Sequence, residues 1–182
     1  MKKSSLMSTA FRRTKQAGFT LLEVTVVLVI GALLLGGALA LFSGASSAQS
    51  SNQILSDLTS VRSAVKSTFF GQGGYGTANL NQVLVNAGRV PTTITVTTGT
   101  PPTLTHGVNS GTLNIVGDTA NYIITLTNIP TAVCLALLSG SQGFNRITVG
   151  AATAISTFPI SPTTASTSCS AAASNTIAFR AA

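Results

Sequence analysis

Two apolar patterns of different kinds occupy the first 70 residues. From Val24 to Phe42 no residue carries a charge, and the run is apolar on every helical face. As a helix it rises roughly 28 Å, close to the hydrocarbon thickness of a bilayer. Further on, Ile54, Leu58, Val61, Val65 and Phe69 recur at steps of four, three, four and four, which is one stripe of an amphipathic helix. Leu55 and Ala64 widen the stripe, while Ser56, Thr59, Arg62 and Lys66 fall away from it. No proline interrupts the chain before Pro91. The pattern predicts one helix over about 19–70, roughly 75–80 Å long at helical rise. Its first half calls for lipid or other helices, and its second half for a sheet that covers one face.

The glycine-rich GQGGYG at 71–76 ends the helical pattern. No strand precedes it and no Walker lysine follows, so it reads as a helix stop and not as a phosphate cradle. NLNQVLVNA at 79–87 predicts a short helix, stopped by Gly88. The chain then turns β-rich. Residues 93–98 (TITVTT) alternate β-branched side chains, and 112–116 with 122–127 predict a hairpin around GDTAN. Residues 131–138 (TAVCLALL) predict a short buried helix, and 146–149 and 176–179 two late strands. The Ser/Thr/Pro-rich stretch 156–174 reads as a loop.

Charge refines this picture. The net charge is +7 on 182 residues, of which only 7% are charged. Lys2, Lys3, Arg12, Arg13 and Lys15 all precede Gly18, and beyond it five bases face three acids with no basic cluster. The basicity is therefore a leader property, and no specific nucleic-acid surface is predicted. Positive flanks stay cytoplasmic, so the body after Phe42 faces outward. In an exported body, Cys134 and Cys169 read by default as a disulfide, with two buried thiols as the alternative.

Glu23 is the anomaly. A carboxylate at the edge of a membrane segment costs free energy and asks for a partner. No Lys, Arg or His lies within two helical turns on its C-terminal side. An amine created by cutting the chain before Phe19 meets that need, from the same chain or from a neighbour. Two rivals, a secretory signal cut after Ala48 and an uncut signal anchor, leave Glu23 without a role. Ala32, Gly36, Ala40 and Gly44 form a row of small residues spaced by four, which permits close helix approach in an apolar medium. The common occurrence of Gly and Ala in membrane helices is the other reading of that row.

A short basic leader followed by G-F-T-L-L-E-V and an apolar helix resembles the type IV prepilin family. The stretches YGTANLNQVLVNAGRVP and ANYIITLTNIPTAVC, with the late Cys169, look like its type IVb group of thin-pilus, toxin-coregulated and bundle-forming pilins. The resemblance implies the type IV pilin fold. That fold is α+β, with the long helix of about 19–70 packed by its C-terminal half on an antiparallel sheet. The parts would be a leader at 1–18, a membrane and filament-core half-helix at 19–42, an amphipathic half-helix at 43–70 and a head at 71–182. It also implies cleavage between Gly18 and Phe19 by a prepilin peptidase, N-methylation of Phe19, Glu23 as assembly residue and Cys134–Cys169 closing the C-terminal region. The implied partners are further copies in a helical homopolymer, the peptidase, the inner-membrane assembly machinery and membrane lipid before assembly. The place would be the inner membrane, then a surface pilus of the kind that serves adhesion or conjugation. A minor pilin or a type II secretion pseudopilin is the alternative within the class. A membrane-anchored or secreted domain that never polymerises is the alternative outside it.

Nothing in the chain predicts catalysis. His106 sits in a Thr/Gly-rich stretch and reads as an ordinary surface residue. Asp57 and Asp118 do not form an acid pair, no nucleophile elbow is present, and no metal cluster or cofactor motif is legible.

Overall fold

The computed structural model describes residues 20–169 and 174–182. The expected leader at 1–18, with Gly18 and Phe19, lies outside the described residues. The chain divides into two compact units, Met1–Phe42 and Ser43–Ala182. Helix α1, Leu21–Thr68, supplies nearly all that is described of the first unit and opens the second. It closes with the Phe69 N–H on the Val65 carbonyl, and Gly71 then takes φ +80°. That is the left-handed conformation glycine adopts without steric cost.

The second unit is a six-stranded antiparallel sheet under the C-terminal part of α1. Its strands are β1 Thr95–Thr97, β2 Thr103–Thr105, β3 Thr112–Asp118, β4 Asn121–Ile129, β5 Arg146–Val149 and β6 Asn175–Ala181, in spatial order β1-β2-β3-β4-β6-β5. Ile54, Leu58, Val61 and Val65 are all buried in one core with alternate residues of β3, β4 and β6. The period of two in those strands therefore meets the helical stripe, and each buried Leu, Ile or Val contributes about 1.5–3 kcal/mol. Phe69, the last member of the stripe, is half-buried against this core.

Three short helices complete the unit: α2 Asn81–Asn86, α3 Thr131–Gly140 and α4 Pro162–Ser168. The first two fall where the apolar pattern predicts them. The third corrects the expected loop at 156–174. Ser161 caps α4, its hydroxyl accepting the Thr164 N–H at 3.1 Å, and Pro162 occupies the first turn. Ser-Pro is a helix-start signal in its own right, masked here by a composition that resembles linker. The short strand β2 is also absent from the expectations, because Thr103–Thr105 lies among prolines and has no apolar period of its own.

Being only three residues long, β2 leaves half of the β3 edge unpaired. The segment after α1 takes that edge. The Leu80 N–H donates to the Ile115 carbonyl and the Gly117 N–H to the Ala78 carbonyl, at 2.8 and 3.0 Å, and Asn79 bridges Val116. The carbonyls of Tyr75 and Gly76 press on Gly117 so closely that a Cβ there would collide with both. Gly117→Ala is therefore expected to destabilise the head by about 1–3 kcal/mol, read as a lower urea midpoint. An unchanged midpoint would show that the segment over β3 yields without cost.

Candidate assembly site

Within the first unit, Thr20 precedes the helix and its Oγ1 accepts the Glu23 backbone N–H at 3.3 Å. Thr-x-x-Glu is the capping-box spacing, and it places a carboxylate in the first turn, where the helix dipole favours it. That local role of Thr20 is legible in TLLE but is overshadowed there by the anomaly of Glu23. The Glu23 side chain is exposed, and among the described residues no ion pair involves it. The neighbouring polar group is satisfied inside the helix, the Thr25 hydroxyl donating to the Leu22 carbonyl at 2.8 Å.

From Leu21 to Phe42 the large apolar side chains are exposed, Leu21 at 84% and Phe42 at 73%. The helix is long and apolar enough to cross a membrane, with a mean hydropathy of 2.6 over its most apolar window. Gly31, Gly36 and Gly37 have open space where a Cβ would stand. Of the small-residue row, Ala32 and Gly36 lie in this unit, Gly44 opens onto empty space in the second, and the side chain of Ala40 lies outside what is described.

In the second unit Cys134, on α3, is bonded to Cys169, the residue that ends α4. Both sulfur-bearing residues are buried. Arg62 ties α1 to the loop after α3. Its guanidinium lies 5.5 Å from the Phe144 ring centroid and donates to the Gln142 carbonyl at 3.3 Å.

His106 corrects the sequence expectation of a surface residue, being only 2% exposed. Its Nε2 lies 3.1 Å from the Thr127 carbonyl and must carry the proton, since a carbonyl only accepts. Its Nδ1 accepts the Val108 N–H at 3.3 Å. Gly111 leaves room for the ring, which a Cβ there would strike. Burial pushes the His106 pKa below its ordinary 6.5, against the opposing pull of the Thr127 carbonyl and the Asp57 charge. Asp57 is itself buried, its Oδ1 accepting from Thr93 Oγ1 at 2.6 Å and Gln53 Nε2 at 3.0 Å. Sequence pattern misses both residues because nothing local distinguishes a buried polar side chain from an exposed one.

The sign of the pH effect follows from that shift. A histidine whose folded pKa is depressed is held neutral by the fold, so its contribution is present above pH 6.5 and is lost as pH falls below it. The head should therefore melt at lower temperature as pH drops from about 7 to 5, and His106→Gln should flatten that slope. An equal slope in the variant would assign the effect to other groups.

Comparison with known proteins fits the two parts of the chain separately. The family model for the prokaryotic N-terminal methylation motif matches residues 13–39, and that described as PilS N terminal matches residues 48–182. The chain belongs to the PilS family of type IVb pilins. The major structural subunits of the bundle-forming pilus from Escherichia coli O127:H6 (strain E2348/69) and O111:H- are each 27% identical to this pilin over 141 residues. Those matches cover 76% of the pilin and 72% of each relative. The crystal structure of TcpA, a type IV pilin from Vibrio cholerae El Tor, superposes with a TM-score of 0.52 at 18% identity, covering 74% of this pilin and 99% of that chain. At that identity the likeness bears on the fold, which is α+β with the long helix of type IV pilins.

Proposed function

We propose that this pilin is made as an inner-membrane precursor, cut by a prepilin peptidase between Gly18 and Phe19, N-methylated on Phe19 and polymerised through its apolar half-helix into a surface pilus. The reading makes it a structural subunit with no catalytic role and no cofactor. The apolar halves bundle in the filament core, with the row Ala32, Gly36, Ala40 and Gly44 at helix contacts. The disulfide-closed heads face the medium. Glu23 meets the new amine of a neighbouring Phe19, which neutralises both charges in a dry core and sets subunit register. Lipid surrounds the 19–42 segment before assembly, and the inner-membrane assembly machinery draws it out.

The observation that carries this reading is the capped helix of unit one. It exposes apolar side chains on every face and offers a single carboxylate, in its first turn. Such a segment is stable only in lipid or among its own copies. N-terminal mass analysis of the mature chain tests it. Methylated Phe19 is expected. A chain starting at Gln49 would mean ordinary secretion, and one starting at Met1 an uncut anchor, and either would overturn the proposal.

A further inference from the structure

The face of the sheet turned away from α1 carries two arginines and one acid. Arg146 on β5 stands directly opposite Arg180 on β6 in the antiparallel register. Side chains so paired project to the same face, where like charges repel. Arg180 crosses β4 and donates through Nε to Asp118 Oδ2 at 2.6 Å, which compensates one guanidinium. Arg146 is exposed and makes no hydrogen bond or ion pair among the described residues. An open cavity of about 380 Å³ lies over these strands, lined by Asp118, Ile123, Arg146, Thr148, Ala178 and Arg180.

The register shows how the floor is built. One cross-strand row runs Ile123, Arg180, Arg146, and the next runs Thr125, Ala178, Thr148. The small Ala178 between two threonines leaves a shallow bed of hydroxyls beside the guanidinium pair. What could neutralise the second arginine is constrained by composition. The chain has only three acids. Asp118 is already engaged, Asp57 is buried and accepts two hydrogen bonds, and Glu23 belongs to the apolar segment. No side chain of a second copy therefore offers a free carboxylate, which favours a different molecule as the source of the counter-charge.

We infer that this face binds an acidic glycan, anchored by one carboxylate or sulfate group on Arg146 and Arg180. The planar guanidinium fork matches either oxyanion in bidentate fashion. The hydroxyls of Thr125 and Thr148 suit the sugar hydroxyls beside it. The aromatic residues of these strands, Tyr122 and Phe179, are fully buried on the opposite face, so the site offers no ring on which a nucleic-acid base could stack.

The test uses the purified full chain in detergent, which makes it independent of filament formation. The probes are a heparin hexasaccharide, a galacturonate oligomer and single-stranded DNA of matched charge. The leader bases bind any polyanion alike in parent and variant, so the variant effect reads the sheet face alone. Arg146→Gln, at an exposed position, is expected to weaken at least one of the two sugars by roughly three- to tenfold and to weaken DNA binding by less than that. Whichever sugar responds identifies the anchoring group. Asp118→Asn, which removes the competing carboxylate, is expected to tighten binding of that same sugar. Unaltered affinity of both sugars in Arg146→Gln overturns the inference. So does a loss of DNA binding as large as the loss of sugar binding, which would mark a general basic surface.

Discussion

Glu23→Ala is expected to yield a chain that inserts in the membrane and loses its leader at the normal rate, yet assembles fewer than about one-tenth of the normal filaments. The magnitude follows from what the partner loses. An amine left in a dry helix bundle without its carboxylate costs about 3–5 kcal/mol, and the defect repeats at every subunit added. A rival role is visible in the structure, because Glu23 occupies the third position of a helix whose cap is Thr20. Glu23→Gln separates the two roles. Glutamine serves in a capping box as well as glutamate does, but it carries no charge. If Glu23 acts by pairing with a neighbouring amine, Gln fails as Ala does. Filament yield in sheared fractions, set against total processed pilin in the membrane, is the measurement. Normal yield from Glu23→Ala refutes the assembly role, and rescue by Gln reduces it to capping.

Loss of the disulfide has the second large effect. Cys134 and Cys169 close a loop of 35 residues. Cross-linking a loop of that length removes about 3–4 kcal/mol of unfolded-state entropy. For a head of this size, Cys134→Ser should lower the melting temperature by roughly 10 °C. The damage should also be local at first. Between the two cysteines the chain leaves α3, forms β5 and returns through α4, and it then enters β6. β6 itself is held on both sides by β4 and β5. Without the bond, limited proteolysis should cut first within 156–174 while α1 and β3–β4 persist. A digestion pattern identical to that of the parent would mean that α4 is held by packing alone, through buried residues such as Ala165.

The elements differ in how far they could be read beforehand, and the reasons are physical. The stripe Ile54–Leu58–Val61–Val65 and the β3–β4 hairpin are local. Each is a period of 3.6 or 2 whose partners lie within a few residues, so the pattern and the structure agree. α4 is equally local, and Ser161-Pro162 announces it, but the surrounding Ser and Thr dilute an apolar signal carried mainly by Ala165. His106 is different in kind. Its ring is held by the Thr127 carbonyl of β4, 21 residues away in sequence, as well as by Gly111 in the adjoining turn, and no local pattern encodes a distant acceptor.

A helix long and apolar enough to cross a membrane, its start after Thr20 and its first-turn acid Glu23 follow from residues 20–42 by themselves, because hydropathy and capping act over one or two turns of chain. The sequence determined the first unit in this sense, together with the face that α1 turns to the core. Only the tertiary structure decided that β6, last in the chain, enters between β4 and β5. That placement sets Arg146 against Arg180, with Asp118 the acid that pairs with Arg180 alone. Strand order depends on which edges are open when the final strand arrives, and an open edge belongs to the assembled sheet, not to any segment of it.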